Sequence, residues 1–335
     1  MILAVDGGNS KTDLALVDAD GSVHALVRGG LSSPQHLGLE QALDVLERLR
    51  EQAGANGSAT VGLLAMAGVD FPSEEQELLR AASGRGWAQS LSVVNDTFAV
   101  LRAGTERGWG VAITCGAGIN CVGVAPDGRH ARFPALGSIT GDWGGGYDVG
   151  LTAVSAAARS EDGRGPRTTL ERSVPAFFGV ETPLDLAEAI HRGRIEQRRV
   201  IELAPLVLAE AADDAVAAEI VEKLADEIVT MARVALTRLG LEHEPAEVLL
   251  GGGLFRAGNH RLLSAVESGL RELAPDVTVR STGVPSIVGA ALLGLDALEV
   301  PVHADAHTRA REELSRAVNE LESAPAGAGM RRDDG

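Results

Sequence analysis

The chain has 335 residues, of which 45% are hydrophobic and 3% are aromatic, and its formal net charge is −17. This length fits two domains better than one, and the negative charge disfavours binding to nucleic acid or to an anionic membrane. Because Cys115 and Cys121 are the only cysteines, a disulfide framework or a four-cysteine metal site is excluded within one chain. The sequence shows neither a signal-peptide pattern after Met1 nor an apolar run of membrane-spanning length, so we expect a cytoplasmic protein without a membrane partner.

The first hundred residues alternate between strand and helix patterns. Short apolar runs joined by tight turns predict strands, and apolar residues recurring on one face predict helices. The predicted strands are 2–6, 12–18, 22–28, 60–67 and 91–94, and the predicted helices are 37–53, 73–86 and 96–104.

The same order partly repeats in the second half. Residues 109–133 read as three strands joined by a glycine turn and a Pro-Asp-Gly turn. Helices are predicted at 146–159, within 168–240 and at 258–273, and strands at 247–255 and 277–280, with a further helix in the segment VPSIVGAALLGLDAL. This repetition predicts a duplicated α/β domain with a cleft between the copies.

The repeat also sets the expected domain boundaries. We predict an N-terminal domain over 1–107, completed by a C-terminal helix within 296–322, and a second domain over 108–295 that carries a helical insertion. Residues 323–335 have the composition of a disordered tail.

The stretch DGGNSKTD between the first two predicted strands has two interpretations. It is a β-hairpin with a polar turn, because Gly-Asn pairs form turns readily. It is alternatively a phosphate cradle, in which glycines admit backbone N–H groups while hydroxyls and Lys11 add donors and charge. Asp6, which ends the strand, is either a turn cap or an anchor for Mg²⁺ through a bound water.

Two further glycine-rich loops follow apolar strands. CGAGIN (115–120) occupies the position equivalent to GGNS (7–10), and LLGGG (249–253) comes late in the second half. Neither a P-loop nor a Rossmann fingerprint is present. Three glycine turns at matching strand ends indicate nucleotide binding.

VVNDTF (93–98) places Asn95 and Asp96 at the end of another apolar strand. Such ends open onto the ligand crevice of an α/β sheet, where Asp96 could accept a proton from an attacking hydroxyl. A plain helix N-cap is the alternative, since Asn and Asp favour that position.

The loop GSITGDWGGGYDVG (137–150) combines glycines with polar and aromatic residues. These residues suit a ligand-facing loop, with Asp142 for hydroxyls and Trp143 for a sugar face. Alternatively, Asp142 caps the following helix. Asn120 lies beside the second glycine turn and could bond a sugar oxygen.

The ordered set DGGNSKTD, VVNDT, TCGAGIN, GDWGGG, LLGGGLF and PSIVGAALLG resembles the actin/hexokinase/Hsp70-type ATPase fold. It is most similar to the BadF/BadG/BcrA/BcrD ATPase family, within its N-acetylglucosamine kinase branch. The resemblance spans roughly residues 2 to 295. It implies two ribonuclease-H-like domains that close on ATP-Mg²⁺ and a sugar, in a protein that forms a homodimer.

The resemblance also implies a role for each matching residue. The first phosphate loop would be Gly7, Gly8, Asn9, Ser10, Lys11 and Thr12, following Asp6, and the second would be Gly116, Ala117 and Gly118. Residues Gly251, Gly252 and Gly253 would lie near the adenosine. Asp96 matches the base that receives the proton of the sugar 6-hydroxyl, and sugar contacts are expected from Gln35, His36, Asn95, Asp96, Asn120, Asp142 and Trp143.

The sequence departs from the family pattern at three places, of which the first two leave the sugar open and the third, in the second phosphate turn, keeps the backbone donors. An Asn that often contacts the sugar is absent from GGLSSPQHLG (29–38), where Ser33, Gln35 or His36 takes its region. Trp143 replaces the acidic residue of the common GDEGS sequence, and Ala117 replaces the Thr of Gly-Thr-Gly.

The expected activity is an ATP-dependent kinase acting on the 6-hydroxyl of N-acetylglucosamine or a close amino sugar. Glucosamine, N-acetylmuramic acid and other sugars are alternative substrates. An ATPase that activates an iron–sulfur reductase is a further alternative, although two cysteines are too few for a cluster within one chain. A sugar sensor without catalysis is the last, and the negative charge opposes its binding to DNA.

Overall fold

The computed structural model of the chain describes residues 1–256, 259–300 and 302–323. Contacts within it divide the chain into two compact units. Unit 1 comprises Met1–Trp109 and the described residues from Gly283 onward, and unit 2 comprises Gly110–Thr282. Apart from Ser323, which ends a helix, the predicted disordered tail lies outside the described residues.

Unit 1 begins with a five-stranded sheet and the helices that connect its strands. The strands are β1 (Ile2–Gly7), β2 (Thr12–Val17), β3 (Val23–Gly29), β4 (Ala59–Met66) and β5 (Ala88–Asn95). The helices are α1 (Pro34–Leu37), α2 (Leu39–Gln52), α3 (Pro72–Ser83) and α4 (Asp96–Gly104). The sheet order is β3-β2-β1-β4-β5, with β1, β2 and β3 antiparallel and β4 and β5 parallel to β1.

The sheet of unit 1 is buried on both faces, which explains why its central strands are apolar without alternation. Along β1, Ile2 and Ala4 pack into one hydrophobic cluster, whereas Leu3 and Val5 pack into another on the opposite face. Successive side chains of a strand point to opposite faces, so β1 contributes to both clusters.

Unit 2 repeats the arrangement and adds a helical insertion. Its strands are β6 (Gly110–Cys115), β7 (Ile119–Val124), β8 (His130–Arg132), β9 (Glu247–Gly251) and β10 (Thr278–Ser281). Its helices are α5 (Gly145–Glu161), α6 (Leu170–Phe177), α7 (Pro183–His191), α8 (Ala204–Glu210), α9 (Ala215–Leu239), α10 (Gly253–Arg256) and α11 (His260–Leu273).

The sheet of unit 2 has the order β10-β9-β6-β7-β8, in which β6, β7 and β8 are antiparallel and β9 and β10 run parallel to β6. This is the strand order of unit 1, so the predicted duplicated α/β fold is confirmed. The predicted strand 247–255 is shorter than expected, because α10 begins at Gly253. A search of the described helices found no segment with the length and apolar character needed to cross a lipid bilayer.

Two C-terminal helices, α12 (Ser286–Asp296) and α13 (Ala306–Ser323), return to unit 1. This division differs from the predicted boundary at 295, because α12 buries Ile287 and Val288 in the cluster that contains Ile2 and Ala4. The side chain of Leu314, from α13, packs into the same cluster. The predicted cleft between the domains stays a prediction.

Candidate active site

Three acidic side chains of unit 1 lie at the carboxyl ends of parallel strands. Asp6 is the penultimate residue of β1, Asp70 follows β4, and Asp96 is the first residue of α4, directly after β5. The parallel register pairs the last residues of β1, β4 and β5 with one another, so these ends are adjacent. The sequence predicted Asp6 and Asp96 for this edge, and the structure adds Asp70.

Burial makes two of these carboxylates retain protons unusually well. Burial first, and then the charges of Asp6 and Asp70, raise the pKa of Asp96 from 3.8 to about 7. Burial also raises the pKa of Asp6 to about 6, although Ser286 Oγ donates a hydrogen bond to its Oδ2 at 2.6 Å. A carboxylate with a pKa near neutrality is suited to accept a proton, and neighbouring carboxylates are stabilised by a cation between them.

The side chain of Asn95 is occupied within unit 1. Its Oδ1 accepts hydrogen bonds from the backbone N–H and the hydroxyl of Thr97, at 3.1 and 2.5 Å. Its Nδ2 donates to Val69 O and to Asp70 Oδ1, both at 3.1 Å. Asn95 is therefore the N-cap of α4, as the alternative interpretation proposed, and this capping fixes Asp96 at the start of the helix.

The first glycine loop is a tight turn between β1 and β2. The Gly8 N–H donates to Lys11 O at 3.0 Å, and the Ser32 N–H donates to Gly8 O at 3.2 Å. The buried hydroxyl of Thr12 donates to Gly30 O or Ser32 Oγ, each at 2.7 Å. The turn is thus anchored to the segment after β3, and Asn9 and Ser10 form its tip.

The segment after β3 places its predicted residues differently. Gln35 and His36 are exposed on α1, whereas Ser33 is completely buried at the start of that helix. Ser33 Oγ has no hydrogen-bond partner among the residues that the structure describes. A buried polar atom in that state calls for an explanation, and contact with a ligand is one. Sequence analysis named Ser33, with Gln35 and His36, in the region where the family has a sugar-contacting Asn.

The second glycine turn is attached to the first turn of α5. The Gly146 N–H donates to Gly116 O at 2.8 Å, and the Tyr147 N–H donates to Ala117 O at 2.9 Å. Gly145 has a φ of +74°, and a Cβ there would lie 2.5 Å from the backbone of Gly118. Only glycine fits this contact, so the GDWGGG sequence shapes the turn at 116–118.

The third glycine loop lies beside the second. β9 pairs in parallel with β6, and the register places Gly251 opposite Thr114. Gly252 has a φ of +98°, and a Cβ there would lie 2.3 Å from Cys115 O. The structure therefore brings together two of the three loops predicted to bind nucleotide, both within unit 2.

Asp142 organises the loop between β8 and α5. Its Oδ2 accepts from the Gly137 N–H at 2.7 Å, and its Oδ1 accepts from the Thr140 hydroxyl. Asp148, rather than Asp142, accepts from the Gly144 N–H at 3.0 Å at the start of α5. The alternative prediction, in which Asp142 caps α5, is therefore wrong.

Helix α9 supplies two side chains to the same loop that the sequence analysis missed. The backbone N–H of Trp143 donates to the carboxylate of Glu227, and Lys223 Nζ lies 4.0 Å from the centroid of the Trp143 ring. The pKa of Glu227 is raised, chiefly by burial. Lys223 is one of two lysines in the chain, and that rarity was the available signal.

Asn120 lies at the start of β7, opposite Thr114. Its Oδ1 accepts from the Cys121 N–H at 2.7 Å. Thr114 Oγ1 is buried and has no hydrogen-bond partner among the described residues. Asn120, Thr114 and the glycine turn thus form a polar group at the end of the β6–β7 pair.

The BadF/BadG/BcrA/BcrD ATPase family profile matches residues 3–294. An N-acetylmuramic acid/N-acetylglucosamine kinase of Clostridium acetobutylicum is 28% identical over 298 residues, 87% of this chain and 97% of that protein. An N-acetyl-D-glucosamine kinase of Dictyostelium discoideum is 26% identical over 320 residues, 88% of this chain and 98% of that protein. A candidate N-acetylglucosamine kinase of known structure, from Chromobacterium violaceum, has a TM-score of 0.66 at 26% identity, over 87% of this chain and 98% of that chain.

Proposed function

The chain belongs to the BadF/BadG/BcrA/BcrD ATPase family, and from this premise we propose that it is an ATP-dependent amino-sugar kinase. It transfers the γ-phosphate of ATP to the 6-hydroxyl of N-acetylglucosamine or a close amino sugar. The relatives from Clostridium acetobutylicum and Dictyostelium discoideum, which bear kinase names and match across most of their length, support this substrate class. The observation that carries the proposal is the acidic edge of unit 1, where Asp96 has a pKa near neutrality.

In the proposed reaction, Asp96 is the base. As the sugar oxygen forms its bond to the γ-phosphorus, the hydroxyl proton passes to the Asp96 carboxylate and the bond from phosphorus to the ADP oxygen breaks. The raised pKa of Asp96 favours this transfer, because a base is most effective when its pKa lies near the working pH. The cap by Asn95 fixes the carboxylate on a rigid helix terminus.

The remaining predicted residues are assigned by the same proposal. Asp6 would hold Mg²⁺ through water, and its half-buried carboxylate near Asp96 suits a cation. Bound Mg²⁺ would neutralise phosphate charge. The turn at 7–12 and the turn at 116–118 would bind phosphates, and the loop at 251–253 would lie near the adenosine.

The sugar contacts are assigned with two changes. Asn120, Asp142, Trp143, Gln35 and His36 stay as proposed contacts, and buried Ser33 joins them because its hydroxyl lacks a partner among the described residues. Asn95 becomes a structural cap, since its side chain forms hydrogen bonds with Thr97, Val69 and Asp70 of unit 1. The proposal includes a cytoplasmic location and a homodimer. Size-exclusion chromatography with light scattering would test the homodimer.

The test is a coupled ADP-release assay with ATP-Mg²⁺ and a panel of N-acetylglucosamine, glucosamine, N-acetylmannosamine, N-acetylmuramic acid and glucose. Rapid turnover with one amino sugar is expected. The variant Asp96→Asn should lose about 10²- to 10⁴-fold in kcat while keeping its affinity for ATP. Normal turnover by Asp96→Asn would remove Asp96 as the base, and silence across the panel would remove the kinase proposal.

The ATPase that activates an iron–sulfur reductase is the second candidate, and the cysteines speak against it. Cys115 and Cys121 are both buried and free. Burial raises the pKa of Cys115 to about 12 and also raises the pKa of Cys121. Cluster ligation requires thiolates, so neither sulfur is suited to it. ATP hydrolysis without any sugar would favour this candidate in the same assay.

A further inference from the structure

The hydroxyl of Ser286 is bonded to the carboxylate of Asp6, the proposed anchor for Mg²⁺. Ser286 Oγ donates a hydrogen bond to Asp6 Oδ2 at 2.6 Å, although the two residues are 280 positions apart in the chain. This is the only side-chain hydrogen bond of Asp6 among the residues that the structure describes. The bond restricts the rotation of the carboxylate, whose last torsion is otherwise broad, and it leaves Oδ1 for another partner.

Helix α12, which begins at Ser286, is held firmly against two other elements of unit 1. A Cβ added to Gly289 would overlap the carbonyl oxygen of Ala99, so the backbones of α12 and α4 are in direct contact. A Cβ added to Gly294 would lie 2.5 Å from Cγ2 of Ile2, so α12 also lies directly on β1. Close packing of backbone against backbone leaves little freedom to shift. The position of the Ser286 hydroxyl against the acid of β1 is therefore set by the fold before any ligand binds.

The surroundings of Asp6 suit a cation that is held through water. Asp6 is half-buried, and its charge acts on that of Asp96, so a cation near both carboxylates would relieve their repulsion. In the part of the chain that the structure describes, no group of three acidic, histidine or cysteine side chains is placed to hold a metal ion directly. Mg²⁺ commonly keeps several waters and takes one or two carboxylates together with phosphate oxygens, which agrees with one oriented carboxylate at this edge.

We propose that Ser286 is a positioning residue for Mg²⁺, whose hydroxyl holds the Asp6 carboxylate in the orientation that receives a water of the ion. The inference rests on the proposed kinase function, in which Asp6 is the magnesium anchor. Removing a group that orients a metal-binding side chain commonly costs about 10- to 100-fold in metal affinity, and a contact through water belongs at the lower end. A Ser286 that served the fold alone would leave the effect of Mg²⁺ on nucleotide affinity unchanged.

The experiment measures the binding of a non-hydrolysable ATP analogue by isothermal titration calorimetry, once with Mg²⁺ and once with a chelator in its place. Ser286→Ala should raise the Kd with Mg²⁺ about tenfold and change the Kd with the chelator less than about twofold. Ser286→Thr keeps the hydroxyl and should stay within about twofold of the wild type in both conditions. Ser73→Ala is the matched control, because exposed Ser73 also follows a proline in the first turn of a helix of unit 1.

Each other result overturns the inference. An unchanged Kd in Ser286→Ala, or an equal rise with and without Mg²⁺, means that the hydroxyl does not act through the metal. A Ser286→Thr or Ser73→Ala variant that behaves like Ser286→Ala leads to the same conclusion. Ser286→Cys, which nearly keeps the size and weakens the donor, takes the place of the alanine variant if that variant does not fold. A wild type that binds the analogue equally well in both conditions defeats this inference alone, whereas one that binds it in neither defeats the proposed function as well.

Discussion

The Nζ atom of Lys11 lies 3.3 Å from Oε1 of Glu322, so the first glycine turn is joined to the last turn of the C-terminal helix. Arg28 Nη1 lies 3.5 Å from the same carboxylate oxygen, and Arg28 also forms a two-point ion pair with buried Asp13. Helix α13 lies beyond residue 294, where the family match ends. A carboxylate outside the matched region thus holds the lysine of the predicted phosphate loop.

Because Glu322 would compete with a phosphate for Lys11, the variant Glu322→Gln should bind ATP more tightly. Both partners are exposed, and such an ion pair contributes less than about 1 kcal/mol, so we expect the KM for ATP to fall by about twofold to fivefold. Steady-state kinetics at low ionic strength would measure it. Glu320→Gln removes a neighbouring exposed charge as the control. An equal effect of both variants would assign the change to net charge alone.

The raised pKa of Asp96 predicts the pH dependence of the reaction. The base must be ionised to accept a proton, and burial together with Asp6 and Asp70 brings its pKa to about 7. We therefore expect kcat/KM for the sugar to fall about tenfold for each pH unit below about pH 7. Removing the Asp70 charge in Asp70→Asn should move this limb to lower pH. A limb that stays in place would exclude Asp70 as a contributor.

The same shift predicts that Asp96→Asn stabilises the protein while it lowers kcat. The carboxyl group ionises near pH 7 when folded but at its ordinary value of 3.8 when unfolded, so its ionisation opposes folding at high pH. The variant should gain up to about 4 kcal/mol in the free energy of unfolding at about pH 8, above both pKa values. The gain should shrink as the pH falls toward about 5, where the wild-type group is protonated in the folded state.

Denaturant unfolding at the two pH values would measure this gain. Asp213→Asn is the matched control, because Asp213 is exposed and its loss changes the net charge by the same amount. A stabilisation of Asp96→Asn that equals the control, or that grows at low pH, would contradict the assignment of a raised pKa.

Asn95 is predicted to matter for stability more than for sugar affinity. Asn95→Ala removes the partners of Thr97, Val69 and Asp70 in a buried setting, which should cost about 2 kcal/mol in the free energy of unfolding. Thermal unfolding followed by circular dichroism would measure it, with exposed Asn319→Ala as the control. If Asn95→Ala instead left stability intact and raised the KM for the sugar, the residue would be a ligand.

The order of strands and helices along the chain, and the position of Asp96 at a strand end, followed from local patterns, because apolar runs, turn residues and strand-end polar groups occupy short segments. Asp70 was missed although it also follows a strand, because MAGVDFPS reads equally well as an ordinary turn before a helix. The assignment of α12 to unit 1 needed tertiary packing: its apolar residues fit either unit until Ile2 and Ala4 are seen against Ile287 and Val288. The contacts of Trp143 with Lys223 and Glu227 join positions about eighty residues apart, and no local pattern predicts which side chains meet over that separation.

Gly145 is predicted to control the second glycine turn. An alanine there meets two costs, a φ of +74° and a Cβ 2.5 Å from the backbone of Gly118. The φ should destabilise the fold by about 1 kcal/mol, and the contact should displace the turn at 116–118 and raise the KM for ATP at least about tenfold. Gly163→Ala separates the two costs, because Gly163 has a φ of +80° and nothing within 4 Å of an added Cβ. It should lose similar stability and keep its KM, as kinetics and unfolding of both variants would measure. Equal KM values in the two variants would mean that the turn at 116–118 does not bind the nucleotide.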